Sequence, residues 1–214
     1  MQPVQAIGFD LFNTLITVDA DTMPTAHGML IASLRESGIS LDEAVFQNAY
    51  RDAVIRFLEE SRRSEKETHN RFWISEALHS QGHALSPEDP RVAAAVEAYF
   101  SAFYPRVRLI PGTLEMLSEL RKRYRLGLLS NFTHGPAAWK ILTQTGLPPL
   151  FDVILISGEL GYRKPSPFLF QKLAAELSAQ GDGVLQCSRS AKREPGRHSC
   201  SGRGESGPRG GTGE

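Results

Sequence analysis

Five polar side chains stand where apolar runs give way to turns: Asp10 after Val4-Gln5-Ala6-Ile7-Gly8-Phe9, Thr14 shortly beyond it, Ser130 and Asn131 after Leu126-Gly127-Leu128-Leu129, and Lys164 before Pro165. A carboxylate such as Asp10 can act as a nucleophile, forming an acyl-phosphate or an ester that water later cleaves. Ser130 and Asn131 offer a hydroxyl and an amide to a bound anion. Lys164 offers a fixed positive charge to an anionic substrate and to Asp10. Taken singly each has a plainer use, as a turn or cap residue or a solvated loop lysine. The chemistry requires a fold that brings them to one place.

The surrounding elements meet that requirement. Val4 to Phe9 reads as a short buried strand ending at Asp10. Four helices follow, from about Thr22 to Gly38, Ala44 to Arg63, around Phe72 to Leu78, and Val92 to Tyr104. The second of these places Val45, Ala49, Ala53 and Phe57 at four-residue spacing. Pro111-Gly112-Thr113 opens a further helix with Leu114, Leu117 and Leu120 facing inward and Glu119 and Arg123 outward. The chain then alternates: a strand over 125–129, a helix over 135–145, a strand over 152–156, and a helix over 166–179 with Ser166 as N-cap. Such alternation predicts an α/β fold with a parallel, doubly wound sheet. In such a sheet ligands bind beyond the carboxyl ends of the strands, where Asp10, Ser130, Asn131 and the loop carrying Lys164 all fall.

Phe9-Asp10-Leu11-Phe12-Asn13-Thr14-Leu15, then Leu129-Ser130-Asn131, then Gly161-Tyr162-Arg163-Lys164-Pro165-Ser166-Pro167 resemble the first three motifs of the haloacid dehalogenase-like (HAD) hydrolase superfamily. The match runs over about residues 4–180 and includes a helical insertion of the C1-cap kind after the first motif. The resemblance implies a Rossmann-like core formed by 1–16 and 106–186, with 17–105 as an all-helical cap. It implies that Asp10 is the nucleophile and Lys164 its charge partner. Thr14 would support the first loop, and Ser130 and Asn131 would bind the transferred group. Most members of the superfamily are magnesium-dependent phosphatases, which makes Asp10 a magnesium ligand.

Two departures qualify the resemblance. Phosphatase members usually carry a second Asp two residues after the nucleophile as general acid and base. Phe12 stands there and cannot move a proton, which is similar to the 2-haloacid dehalogenase branch, where halide leaves unprotonated and no metal is needed. The fourth motif of the family, a strand ending in Gly-Asp with a further acid about five residues on, has no counterpart. The count from Lys164 reaches Ser188-Arg189, Val184-Leu185-Gln186 is only a strand stub, and Asp182 reads as part of a Gly-Asp-Gly turn. Glu194 beside Lys192 and Arg193 makes a poor magnesium site. Weak magnesium binding and an exposed edge at the first strand are the resulting expectations.

Composition sets the remaining bounds. The chain has 214 residues, 24 basic and 24 acidic, with 41% hydrophobic and 22% charged side chains, which is globular composition. Zero net charge gives no electrostatic case for nucleic acid. No apolar run approaches the roughly 18–20 residues of a membrane span, and no secretory signal opens the chain. With two cysteines, Cys187 and Cys200, no disulfide framework is indicated, and the chain reads as cytoplasmic. Residues 187–214 lack any Val, Ile, Leu, Met, Phe, Tyr or Trp and hold seven Gly, five Ser and five Arg, so they are expected to be a disordered tail. Their abrupt start reads as out-of-frame translation and a C-terminally incomplete core. The expected function is hydrolysis of a small anionic substrate, either a phosphate monoester or a 2-haloacid, through an aspartyl intermediate, impaired by the missing fourth motif. The rival is a catalytically inactive binding protein or a non-functional fragment. Substrate identity and oligomeric state have no readable code.

Overall fold

The computed structural model describes residues 4–177 and, as backbone, two strands at 184–188 and 199–201. Strand β1 (Ala6–Phe9) is buried at every position, as a strand covered on both faces must be. Strand β2 (Ile16–Val18) follows and pairs antiparallel with β3 (Val107–Leu109). This ribbon brackets four helices: α1 (Thr22–Glu36), α2 (Glu43–Ser64), α3 (Asn70–His79) and α4 (Pro90–Ser101). The starts of the last three are chemically marked. Asp42 accepts from the Val45 amide at 3.0 Å, His69 from Arg71 at 3.1 Å, and Asp89 from Arg91 at 2.9 Å. Helix α1 packs on α4, and α2 on α3.

The buried stripe of α2 is Phe46, Tyr50 and Ala53, whereas Val45 is exposed. A four-residue spacing drifts around a helix of 3.6 residues per turn, and the two large aromatics take the inner face.

After the ribbon come α5 (Thr113–Arg121), β4 (Arg125–Ser130), α6 (Gly135–Gln144), β5 (Val153–Ile156), the short α7 (Ser157–Leu160) and α8 (Pro167–Glu176). In α5 Leu117 is buried but Leu114 is exposed, and Glu119 pairs with Lys122 rather than Arg123. Ser166 stands at the N-cap position of α8, yet its hydroxyl makes no cap hydrogen bond. Strands β6 (Val184–Ser188) and β7 (Ser199–Ser201) complete a sheet of order β5-β4-β1-β6-β7, parallel except for β7.

One face of this sheet, with Ile7, Phe9, Leu126 and Leu128, joins the large core that continues into the cap. The other, with Ala6, Leu129, Val153 and Leu155, packs on Leu169, Leu173 and Leu177 of α8 and its end. Gly127 permits that contact, since a Cβ there would stand 2.7 Å from Leu173 Cδ1.

One expectation is corrected. The first strand is no edge, because β6 pairs with it in register from Ala6–Val184 to Phe9–Cys187. Of the residues expected to form the tail, Cys187 and Ser188 belong to β6, and Ser199–Ser201 pair with β6. Backbone pairing with β1 needs N–H and C=O groups, not apolar side chains, and composition is blind to it. Asp182, Arg189 and Glu194, with the rest of 187–214, lie outside the described residues.

Candidate active site

Asp10 directly follows β1, and Ser130 and Asn131 close and follow β4, so the neighbouring strands deliver them to one edge of the sheet. The loop after α7 brings Lys164 to the same edge. Its ammonium donates to Asp10 Oδ1 at 2.6 Å and to the Leu129 carbonyl at 2.7 Å, thereby spanning the ends of β1 and β4. Burial pushes the Lys164 pKa below the ordinary lysine value and Arg163 adds to that, while the Asp10 carboxylate opposes it.

Asn131 clamps this loop. Its Oδ1 accepts from the Lys164 amide at 2.7 Å and its Nδ2 donates to the Lys164 carbonyl at 3.1 Å. The carboxamide therefore holds the backbone of the lysine loop. Ser130 is buried at the end of β4. Thr14 is buried in the turn after Asp10, where the Thr14, Leu15 and Ile16 amides converge on the Leu11 carbonyl. Asn13 takes a left-handed φ of 59° in that turn, a conformation its short polar side chain tolerates. Phe12 stacks on Phe132 at 5.6 Å, and Phe132 meets Phe100 of the cap at 5.1 Å, so the aromatic two residues after Asp10 joins core to cap.

Two further sets of residues had no signal in the sequence. The linker between α2 and α3 lies along the lysine loop, with Lys66 and Tyr162 forming an antiparallel bridge. The Arg163 amide donates to the Glu65 carbonyl at 3.0 Å and the Glu67 amide to the Gly161 carbonyl at 3.1 Å. The Glu67 carboxylate accepts from Arg163 Nη1 at 3.1 Å, from Ser157 Oγ at 2.5 Å and from the Thr68 amide at 3.1 Å. Ser166 donates to Glu65 Oε2 at 2.7 Å, which is why it caps nothing.

The second set is a histidine chain. His69 Nδ1 accepts from the Arg71 amide, so its Nε2 carries the proton and donates to His134 Nδ1 at 3.0 Å, and His134 Nε2 donates to Glu97 at 2.7 Å. Burial, then His134 and Arg71, lower the His69 pKa to about 4. A separate cavity of about 500 Å³, lined by Met23, His27, Tyr50, Trp73 and Tyr99 among others, lies within the cap and contains none of the Asp10–Lys164 group.

A magnesium ion needs six oxygens, with one or two carboxylates among them. Among the described residues no group of three potential metal-ligating side chains exists. Asp10 is already held by an ammonium, position 12 is aromatic, and Val184–Ser188 carries no carboxylate. The donors described do not fit the ion, and no step is derived through it.

A parallel sheet with an inserted helical bundle, and an aspartate and a lysine joined at its carboxyl edge, define an α/β protein of Rossmann-like architecture. The haloacid dehalogenase-like hydrolase family matches residues 4–185, and the chain belongs to that family. It is similar to a glyceraldehyde 3-phosphate phosphatase of Methanopyrus kandleri, 27% identical over 85% of this chain and 74% of the relative. A ribulose-1,5-bisphosphate 5-phosphatase of Halopiger xanaduensis is also 27% identical, over 84% and 74%. Among solved structures, the 2-haloacid dehalogenase of Pseudomonas syringae pv. Tomato has the same fold, with a TM-score of 0.59 at 20% identity over 86% of this chain and 76% of that one. A magnesium-bound HAD hydrolase of Bacillus subtilis gives 0.54 at 19%, over 86% and 78%. Among the described residues no helix is long and apolar enough to cross a membrane.

Proposed function

We propose that the chain hydrolyses a small phosphate monoester with Asp10 as nucleophile. The observation that carries this reading is the single ammonium that bonds Asp10 and the end of β4 together. Two of its three N–H donors are engaged there, leaving one for a substrate oxygen. In the first step an Asp10 oxygen attacks phosphorus, the bond from phosphorus to the ester oxygen breaks, and the released alkoxide takes its proton from water. In the second step water attacks the acyl-phosphate, the bond to Asp10 breaks, and phosphate leaves. Lys164 holds the carboxylate in place and offsets the anionic charge throughout. The likeness to two phosphatases of sugar phosphates supports a phosphate monoester as substrate.

Phe12 favours a second reading, attack of Asp10 on the α-carbon of a 2-haloacid. There the carbon–halogen bond breaks, halide departs without a proton, and water then hydrolyses the ester at its carbonyl carbon. The test is turnover by the full chain of glyceraldehyde 3-phosphate, ribulose 1,5-bisphosphate and 2-chloropropionate. Phosphate release that Asp10→Asn lowers by about 10⁴-fold is expected. Halide release alone would move the assignment to the second reading, and phosphate release undiminished in Asp10→Asn would overturn both.

A further inference from the structure

The Glu67 carboxylate is 2% exposed, although it sits in a Glu-Lys-Glu segment of the cap. Burying a carboxylate is costly unless it is paired and hydrogen-bonded. Glu67 meets that condition with groups of the core: Arg163 directly before Lys164, and Ser157 at the end of β5. Ser157 in turn accepts from the Phe132 amide at 2.8 Å, in the loop that begins with Asn131. One cap carboxylate thus reaches both segments that the Asn131–Lys164 clamp joins, the lysine loop directly and the Asn131 loop through Ser157. The adjoining backbone bridge, Arg163 to Glu65 and Glu67 to Gly161, fixes the same loop from the cap side.

We propose that Glu67 is a positioning residue of the reaction: by holding Arg163 and Ser157 it sets the Gly161–Ser166 loop so that Lys164 reaches Asp10, and it does so only when the α2–α3 linker is seated on the core. The cap thereby contributes to the reactive centre without touching substrate. The charged groups facing the lysine loop are Asp10 from β1, and Glu65, Lys66 and Glu67 from the linker. With Glu67 removed, Arg163 loses its buried counter-charge and the loop loses its outer anchor. This inference rests on the reading of Asp10 and Lys164 as the reacting pair, yet its main test needs no turnover.

Residue-resolved hydrogen exchange on the full chain is that test. In the wild type the Arg163, Glu67 and Lys164 amides should all be protected, the last through Asn131. Glu67→Ala should speed exchange at all three by about tenfold or more. A contact that merely tethers the cap would release Arg163 and residue 67 and leave Lys164 protected, and that result would overturn the proposal. Glu67→Gln keeps the volume and removes the charge, so it serves if the alanine variant does not fold. It should release Lys164 in the same direction, and unchanged protection there also overturns the proposal. Once a substrate is identified, Glu67→Gln should lower kcat by a larger factor than it raises KM; an effect confined to KM contradicts it. Loss of turnover in Asp10→Asn with no effect of Glu67 on Lys164 would leave the catalytic reading standing and remove this one. The converse pattern would remove the catalytic reading and with it the place of Glu67 in the reaction, leaving only its hold on the lysine loop.

Discussion

Glu67 of the cap and Arg163 of the core form an ion pair of 3.1 Å in which the carboxylate is almost wholly removed from solvent. Arg163 precedes the lysine that bonds Asp10, so the pair ties the insertion to the reactive edge of the sheet through the polypeptide itself. Ion pairs on a surface add little to stability, whereas a buried pair fixes geometry because breaking it strands a charge. The cap is therefore joined to the core by directional polar contacts on one side and by the Phe12–Phe132–Phe100 stack on another.

The histidine chain makes this junction sensitive to acid. An unfolded histidine takes up its proton near 6.5, and His69 in the fold near about 4. Between those values the unfolded chain binds more protons, so stability should be full above about 6.5 and decline as pH falls toward 4. Protonation places a hydrogen on the Nδ1 that accepts from the Arg71 amide, which removes the N-cap of α3. The slope has a ceiling of about 1.4 kcal/mol per pH unit, reduced because the ring is partly exposed. Urea unfolding at several pH values should show this slope in the wild type and a flatter one in His69→Asn, which caps without titrating. Equal slopes would contradict it.

Gly158 lets the β5 end approach the loop after Asn131, with its amide on the Phe132 carbonyl at 3.0 Å and a hypothetical Cβ only 2.5 Å from the Thr133 carbonyl. Gly158→Ala should cost about 1–3 kcal/mol, or about 3–10 °C in Tm for a chain of this size. Gly28, exposed in α1 with nothing within 4 Å of a Cβ, is the matched control. Gly28→Ala should raise stability by up to about 1 kcal/mol. Thermal melts of the two variants check both signs.

With one lysine-bonded carboxylate as the donor described, magnesium should bind weakly. Isothermal titration should give a dissociation constant above about a millimolar, and a chelator should leave any turnover unchanged. Tighter binding would mean that residues outside the described ones supply ligands.

Much of this was legible in the sequence because it is local or periodic. The four cap helices announce themselves through apolar stripes, and the parallel topology places Asp10, Asn131 and Lys164 at one edge. The Glu67–Arg163 pair was not legible, since the partners lie 96 residues apart and Glu65-Lys66-Glu67 has the composition of a solvated linker. The clamp made by Asn131 was hidden for a related reason: its partner is the backbone of a loop 33 residues away. Pairing of β6 with β1 was missed because backbone hydrogen bonds leave little trace in side-chain composition.

Covalent loading of Asp10 during turnover is the step on which the proposed reaction depends. Acid quenching of the full chain during reaction with glyceraldehyde 3-phosphate, followed by peptide mass spectrometry, tests it most directly. A phosphoryl group is expected on Asp10, removed by hydroxylamine as an acyl-phosphate must be, and absent from Asp10→Asn. Phosphate released at the wild-type rate with the adduct on another residue, or with Asp10 never modified, would contradict it.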